Sequence, residues 1–215
     1  MAEDEISLRK KMLKGTTTIG FVCSDGVVIG ADSRATYGTT IASTEARKVW
    51  KIDDNLGLTI AGGVGDALEI IRMLKAHNEI YKMNEGRPMS PRSAASLLSI
   101  ILQNNKMFPF YVGLIVAGVD DDTPQLYSMD PFGGTTEDSR FTTTGSGSEA
   151  ANGYLEEVYK KMPVKDATKY VARALAIAMK RDSATGDSMI VATITKSGYT
   201  EYAGKALEKM VAQSK

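Results

Sequence analysis

The apolar residues of this 215-residue chain change period in blocks, and the order of those blocks limits the folds open to it. "TTIGFVCS" and "VVIGADSRAT" are strand-like runs on either side of Asp25-Gly26, which is hairpin-turn chemistry. A second such pair, "RKVWKID" and "LGLTIAGG", flanks Asp54-Asn55. The period then turns helical: Val64, Ala67, Leu68, Ile71 and Leu74 share one face of a helix expected to run to about Asn84. Ser90 is the expected N-cap of the next helix, with Pro91 at its first position and Ala94, Leu97, Leu98 and Ile101 as its stripe. Strands return at "YVGLIVAGVD", "PQLYSMD" and "SRFTTTG". Two more helices carry the stripes Ala151, Tyr154, Leu155, Val158 and Val171, Ala174, Leu175, Ala178, with Pro163 between them. "MIVATIT" and "GYTEY" make a last hairpin, and a short charged helix is expected to close the chain.

Strand blocks separated by helix pairs do not alternate as βαβ units do, so a parallel sheet is not expected. The expectation is an α+β four-layer sandwich, αββα, in which two antiparallel sheets pack face to face and each is covered by a helix pair. With 43% apolar residues the chain can bury such a core, and no repeat or low-complexity linker divides it. Lys plus Arg and Asp plus Glu balance at 26 each, so no global field recruits nucleic acid or an anionic membrane surface. One cysteine, Cys23, leaves no intramolecular disulfide to form, and one histidine, His77, cannot supply a zinc cluster; both read as structural. Residues 1–15, "MAEDEISLRKKMLKG", hold no apolar run fit for a signal-peptide core, and no later segment has the apolar length of a membrane helix. A cytoplasmic location is expected, with residues 1–15 either a tail or a segment to be removed.

The stretch that raises a question of chemistry is "LKGTTTIG", Leu13 to Gly20. A threonine hydroxyl attacks well only when a base takes its proton, and a threonine's own α-amine, with a pKa of about 7.7 to 8.0, can be that base. The amine must then be freed by a cut before the threonine, and Gly15-Thr16 offers an uncrowded junction. The plain alternative is a Thr-rich strand start. Asp32 follows the apolar stretch "VVIGA" expected beside Thr16, and Lys48 leads into an apolar strand; the two are either a structural ion pair or a pair placed to polarise Thr16. In "IAGGVGDA" the amide of Gly62 sits between strand and helix, where it can meet an oxyanion or only make a turn. "TGSGSEA" imitates a dinucleotide fingerprint at Gly145, Gly147 and Ala150, but without the parallel βαβ unit that motif needs. "KRDSATGDS" reads as a helix C-terminal turn or as a place where Asp182 and Thr185 hold the Thr16 amine.

Taken in order, "GTTTIG", "GADSRAT", "RKVWKI", "AGGVGDA", "TGSGS" and "RDSATG" resemble the β subunits of archaeal-type proteasomes, threonine peptidases of the N-terminal nucleophile (Ntn) hydrolase superfamily. The resemblance runs from Gly15 through the final hairpin. It implies that residues 1–15 are a propeptide removed by autocleavage and that residues 16–215 are one peptidase domain. By the same resemblance Thr16 is the nucleophile, Asp32 and Lys48 set its protonation environment, and Gly62 supplies the oxyanion amide. Ser146, Asp182 and Thr185 match the residues that organise the amine and its water, although Thr185 stands where the family often has serine. Ala35, Ala46, Ile60 and Val64 correspond to the pocket for the side chain before the cut. The implied partners are other β subunits in a seven-membered ring, a ring of α subunits, and unfolded polypeptides delivered by a regulatory ATPase. No metal or cofactor is implied. A non-catalytic ring subunit would keep the fold and leave residues 1–15 uncut, although the family's non-catalytic outer-ring subunits lack the Gly15-Thr16 junction; a bacterial-type two-ring threonine protease is a nearer alternative, though "GADSRAT" favours the proteasomal branch.

Overall fold

In the computed structural model, which describes residues 15–204 and Leu207, every strand pair is antiparallel. The Asp25-Gly26 turn joins β1 (Thr17–Val22) to β2 (Gly26–Asp32), with Thr18 opposite Ala31. β2 stops at Asp32, short of the run expected from the sequence. The residues after it instead form a small ribbon, β3 (Ala35–Tyr37) on β4 (Thr40–Ser43). Nothing in the apolar pattern announces this ribbon, because β4 is exposed along its whole length and its side chains need no period. The second hairpin forms as expected from β5 (Val49–Asp53) and β6 (Leu56–Gly62).

Two helices follow, α1 (Val64–Glu85) and α2 (Pro91–Asn104). Ser90 caps α2 as its position predicts, its hydroxyl oxygen accepting the Ser93 amide at 3.1 Å. The second sheet is completed by β7 (Val112–Asp120), β8 (Thr123–Met129) and the short, exposed β9 (Thr135–Glu137), which the sequence reading missed for the same reason as β4. β10 (Phe141–Gly145) returns to the first sheet, followed by α3 (Ser148–Val158), α4 (Val164–Arg181), β11 (Met189–Thr195) and β12 (Gly198–Ala203). The strand orders are β10-β1-β2-β11-β12 and β5-β6-β7-β8-β9. Apart from Leu207, the expected closing helix lies outside the described residues. No helix among the described residues is long and apolar enough to cross a membrane.

The expected αββα sandwich is what these elements build. Alternation along the central strands divides the core into three layers. In β7, Val112, Leu114 and Val116 meet α1 and α2, whereas Ile115, Ala117 and Val119 meet the other sheet. In β2, Val28 packs toward α3 and α4 while Val27, Ile29 and Ala31 face inward. Both faces are buried, so these strands read as continuous apolar runs rather than alternating ones. The face expected for α1 needs correction. Its buried residues are Ile70, Ile71, Leu74 and Asn78, while Val64 and Leu68 are exposed to a cavity described below.

Asn78 is fully buried on α1 because it ties three segments together. Its amide donates to Asp53 Oδ2 of β5 at 2.6 Å, and its carbonyl oxygen accepts the Met89 amide ahead of α2 at 3.0 Å. Asn78→Ala leaves the Met89 amide without that partner, so it should lower unfolding stability by about 1 to 3 kcal/mol. Chemical denaturation of the variant beside the parent measures this, and an unchanged midpoint would show the bond to be dispensable.

Candidate active site

The β1–β2 register puts Asp32 across from the start of β1, and its carboxylate collects four donors from separate segments. Oδ1 accepts the Thr17 amide at 2.9 Å and Lys48 Nζ at 2.8 Å. Oδ2 accepts the Arg34 amide at 3.1 Å and the Gly186 amide at 2.9 Å. The Arg34 contact is a local turn in which an aspartate binds the amide two residues on. Lys48 enters from the residue before β5 and is equally occupied: besides Asp32, its ammonium donates to the Gly15 carbonyl oxygen at 3.2 Å and the Arg34 carbonyl oxygen at 2.5 Å. Three protons thus have three acceptors. With side-chain exposures of 7% for Lys48 and 0% for Asp32, this is a buried ion pair whose remaining hydrogen-bonding capacity is also satisfied. Burial pushes the Lys48 ammonium below its usual pKa, with the Asp32 charge acting against the shift.

A second carboxylate stands where α4 ends. Asp182 Oδ2 accepts hydroxyl protons from Ser146 and from Thr185, the latter at 2.6 Å, and Oδ1 accepts the Ala184 amide at 3.1 Å. Burial pushes the Asp182 pKa up, but the hydrogen bonds from Ser146, Thr185 and Ala184 outweigh it and hold the carboxyl below its usual range. Each hydroxyl has a single proton, so these bonds fix the direction of the rest. With its proton on Asp182, Ser146 Oγ accepts from Thr16 N at 3.4 Å, and Thr185 Oγ1 accepts from the Thr17 hydroxyl at 2.8 Å. Asp182 therefore reaches Thr16 N through Ser146, and Thr185 addresses Thr17, not the Thr16 nitrogen expected from the sequence.

Thr16 is buried, and its hydroxyl donates to the Gly15 carbonyl oxygen at 2.5 Å. That oxygen is also the Lys48 acceptor, so the Thr16 hydroxyl and the Lys48 charge converge on the carbonyl before Thr16. Gly62, expected to supply the oxyanion amide, lines the same cavity, while the donors on the Gly15 oxygen are Lys48 and the Thr16 hydroxyl. Two glycines are required by shape. Gly15 has φ 139°, and an added Cβ would lie 2.1 Å from Thr36 Oγ1. Gly62 has φ 129°, and a Cβ there would lie 2.0 Å from the Tyr111 carbonyl oxygen.

The cavity beside Thr16 has a volume of about 460 Å³. The four residues expected to form the pocket, Ala35, Ala46, Ile60 and Val64, all line it, together with Trp50 and Leu68, which were not foreseen. A larger, more open groove of about 630 Å³ runs past Glu137, Arg140, Asn152 and Glu156 and holds none of the expected site residues. The dinucleotide motif fails on topology, since β10 is antiparallel to β1. Cys23 is buried, with burial and then Asp25 raising its thiol pKa, and His77 lies on the exposed side of α1. Arg34, Thr17 and Gly186 were missed as parts of the site. They act on Asp32 or Lys48 through backbone groups, which leave almost no mark in a sequence; only the Asp32-Ser33-Arg34 turn carries a local signal.

A family model described as "Proteasome subunit" matches residues 12–194. The chain belongs to the proteasome subunit family. It is 45% identical over 205 residues to a "Proteasome subunit beta" of Methanocaldococcus vulcanius, covering 94% of this chain and 92% of that relative. It is 46% identical over 203 residues to "Proteasome subunit beta 2" of Pyrococcus furiosus, covering 94% and 98%. To a "Proteasome subunit beta" of Methanosarcina mazei it is 44% identical over 190 residues, covering 88% and 90%. Within this family the chain is thus similar to β subunits along nearly its whole length.

The buried pair sets a test that does not depend on activity. Lys48→Met removes the charge and leaves Asp32 held by amides alone, so stability should fall by about 3 kcal/mol. Asp32→Asn combined with Lys48→Met should recover part of that loss, because no uncompensated charge then remains buried. Urea unfolding of the parent, both single variants and the double measures the coupling; strictly additive losses would show that the two side chains do not act as a pair.

Proposed function

We propose that this chain is a catalytic β subunit of a proteasome core particle, a cytoplasmic threonine endopeptidase that cuts itself between Gly15 and Thr16. The observation that carries the reading is the shared acceptor: the Gly15 carbonyl oxygen takes both the Thr16 hydroxyl and Lys48 Nζ. Lys48 withdraws electron density from the carbonyl that a nucleophile would attack, and Asp32 holds the charge there. After a rotation about Thr16 χ1, Oγ1 bonds to the Gly15 carbonyl carbon. The bond from that carbon to Thr16 N then breaks as the nitrogen takes the proton that Oγ1 gives up, leaving Gly15 as an ester on Thr16. Water hydrolyses the ester, releasing residues 1–15 with a new carboxylate and restoring the hydroxyl beside a free amine.

That amine is the base for later turnovers. It takes the Thr16 hydroxyl proton as Oγ1 attacks a substrate carbonyl, and Ser146 and Asp182 steady it through the path already directed at Thr16 N. The peptide's new amine leaves first and water releases the acyl half, without metal or cofactor. On this reading seven β subunits form a ring stacked on α subunits, and unfolded polypeptides reach the enclosed sites through a regulatory ATPase.

Thr16→Ala should retain residues 1–15 and show no peptidase activity, whereas a chain started at Thr16 with the initiator Met removed should be active without processing. Gly15→Ala, strained at φ 139°, should slow release about 10- to 100-fold. Intact mass with time reads all three; a mature terminus at Thr17 or Thr18, or an active Thr16→Ala, would sink the reading.

The cavity sets the preference for the side chain before the cut. Ala35, Ala46, Ile60 and Val64 offer no charge partner, and the two cations that also line the cavity are engaged, Lys48 by three acceptors and Arg47 by Glu201 and the Val49 carbonyl oxygen, so fluorogenic peptides ending in Leu or Tyr should outpace those ending in Glu or Arg. Fastest cleavage after Glu or Arg would mean that another surface binds that side chain.

A further inference from the structure

Two arms carry the charged groups of the site, and the sequence separates them widely. One arm is the end of β2 with Asp32 and, against it, Lys48; the other is the turn after α4, residues 182–188, with Asp182, Thr185 and Gly186. Arg34 touches both. Its amide donates to Asp32 Oδ2 and its carbonyl oxygen accepts Lys48 Nζ, so its backbone belongs to the first arm. Its side chain belongs to the second. Nε donates to Asp187 Oδ2 at 2.9 Å, Nη2 to Asp187 Oδ1 at 3.1 Å, and Nη1 to the Ser183 carbonyl oxygen at 2.8 Å. The guanidinium packs against Gly186, where an added Cβ would sit 2.4 Å from Arg34 Cζ. Beneath it the Gly186 amide donates to the Asp32 oxygen that also takes the Arg34 amide. Asp187 meets the fork from φ 69°, a left-handed conformation uncommon for any residue but Gly, Asn or Asp.

We propose that the Arg34–Asp187 fork is a positioning clamp that fixes the Asp182–Thr185 turn against the Asp32–Lys48 pair, and so sets the rate of the chemical step. The inference rests on the peptidase reading above. Two features separate it from an ordinary surface ion pair. The contact is bidentate, which fixes orientation as well as distance and which Lys cannot reproduce. A third guanidinium bond holds the backbone of the same turn. The two side chains are still 21% and 22% exposed, so the pair contributes little to global stability. A residue of this kind should appear in kcat and hardly in the unfolding midpoint. Asp182 and Thr185 meet Thr16 and Thr17 through hydroxyl bonds, and a displacement of about 1 Å in such a relay costs on the order of 100-fold in rate.

The test uses the full chain in its assembled form. Arg34→Ala, Arg34→Lys, Asp187→Asn, Asp187→Gly and the double Arg34→Ala/Asp187→Gly are compared with the parent for release of residues 1–15, for kcat and KM on a Leu-ending fluorogenic peptide, and for thermal midpoint. Glycine at 187 relieves the φ of 69°, so its effect is that of the lost carboxylate and not of strain. Arg34→Ala and Asp187→Gly should each lower kcat about 10- to 100-fold with KM within about twofold. The double should fall no further than the worse single, since both remove one clamp. Asp187→Asn, which keeps an acceptor, should recover part of the loss, and Arg34→Lys should not restore the parent rate. Should Arg34→Ala fail to assemble, Arg34→Lys and Asp187→Asn carry the same comparison. An active parent beside variants with kcat within about twofold of it, or a double whose loss is the product of the singles, overturns the clamp alone. A parent that neither releases residues 1–15 nor cleaves peptide overturns the peptidase reading and the clamp with it.

Discussion

The rest of the site depends on the buried Lys48–Asp32 pair. A lone ammonium at that depth would shed its proton or unfold its surroundings, and removing one member of such a pair typically costs about 3 to 5 kcal/mol. The pair persists because neither group has an idle atom. Asp32 takes three backbone amides besides the ammonium, and the ammonium takes two carbonyl oxygens besides Asp32. Those five backbone groups come from Gly15, Thr17, Arg34 and Gly186, so satisfying one charge pair also fixes the chain on both sides of Thr16.

Such accuracy needs rigid supports, and the sandwich supplies them. Asp32 stands at the end of β2, which is paired on both sides, with β1 and with β11. Lys48 precedes β5 in the opposite sheet, where its carbonyl oxygen accepts the Ile60 amide of β6 at 3.0 Å. The inner layer of Ile29, Ala31, Val49, Ile115 and Ala192 locks one sheet on the other. The ion pair therefore spans the gap between sheets whose separation is set by close packing, which changes little without large cost. The exposed β3–β4 ribbon lies outside that frame. Ala35, Thr36 and Tyr37 of its first strand line the cavity beside Thr16, on the part of the fold least held by the core.

What the sequence made legible follows the same division. Elements buried on one or two faces announced themselves: the three hairpins, the four helices among the described residues and the sandwich follow from period and turn chemistry, and the Ser90 cap was readable to the residue. β4 and β9 were silent because they bury nothing. The face of α1 was misread because Val64 and Leu68 look like core residues but line a cavity, and period alone does not distinguish apolar residues that face the core from those that face a pocket. In the site, the side chains singled out do converge, yet only ordered motifs and their resemblance to a family raised them above plain alternatives. The backbone donors around Asp32 and the route from Asp182 to Thr16 through Ser146 had to be seen. Hydrogen-bond direction depends on which hydroxyl has already given its proton away, and no sequence records that.

That direction bears on which group takes the Thr16 proton. Lys48 holds each of its three protons on an acceptor, so it serves the proposed chemistry as a fixed positive charge and not as a ready base. Burial lowers its pKa, but deprotonation would leave Asp32 as an unpaired buried anion, and the loss of that pairing opposes the loss of the proton. Before cleavage Thr16 N is an amide and cannot accept a proton either. The uncut chain thus holds a polarised carbonyl and a placed hydroxyl but no strong base beside them, and the proposed step from Gly15 to Thr16 would rely on approach and electrostatics. In the proposed scheme the cut turns the same nitrogen into an amine at the head of the Ser146–Asp182 path, and the base that was missing would stand within the residue that needs it. On the proposed reading, slow self-processing followed by fast turnover is what one arrangement of charges produces before and after a single bond is broken.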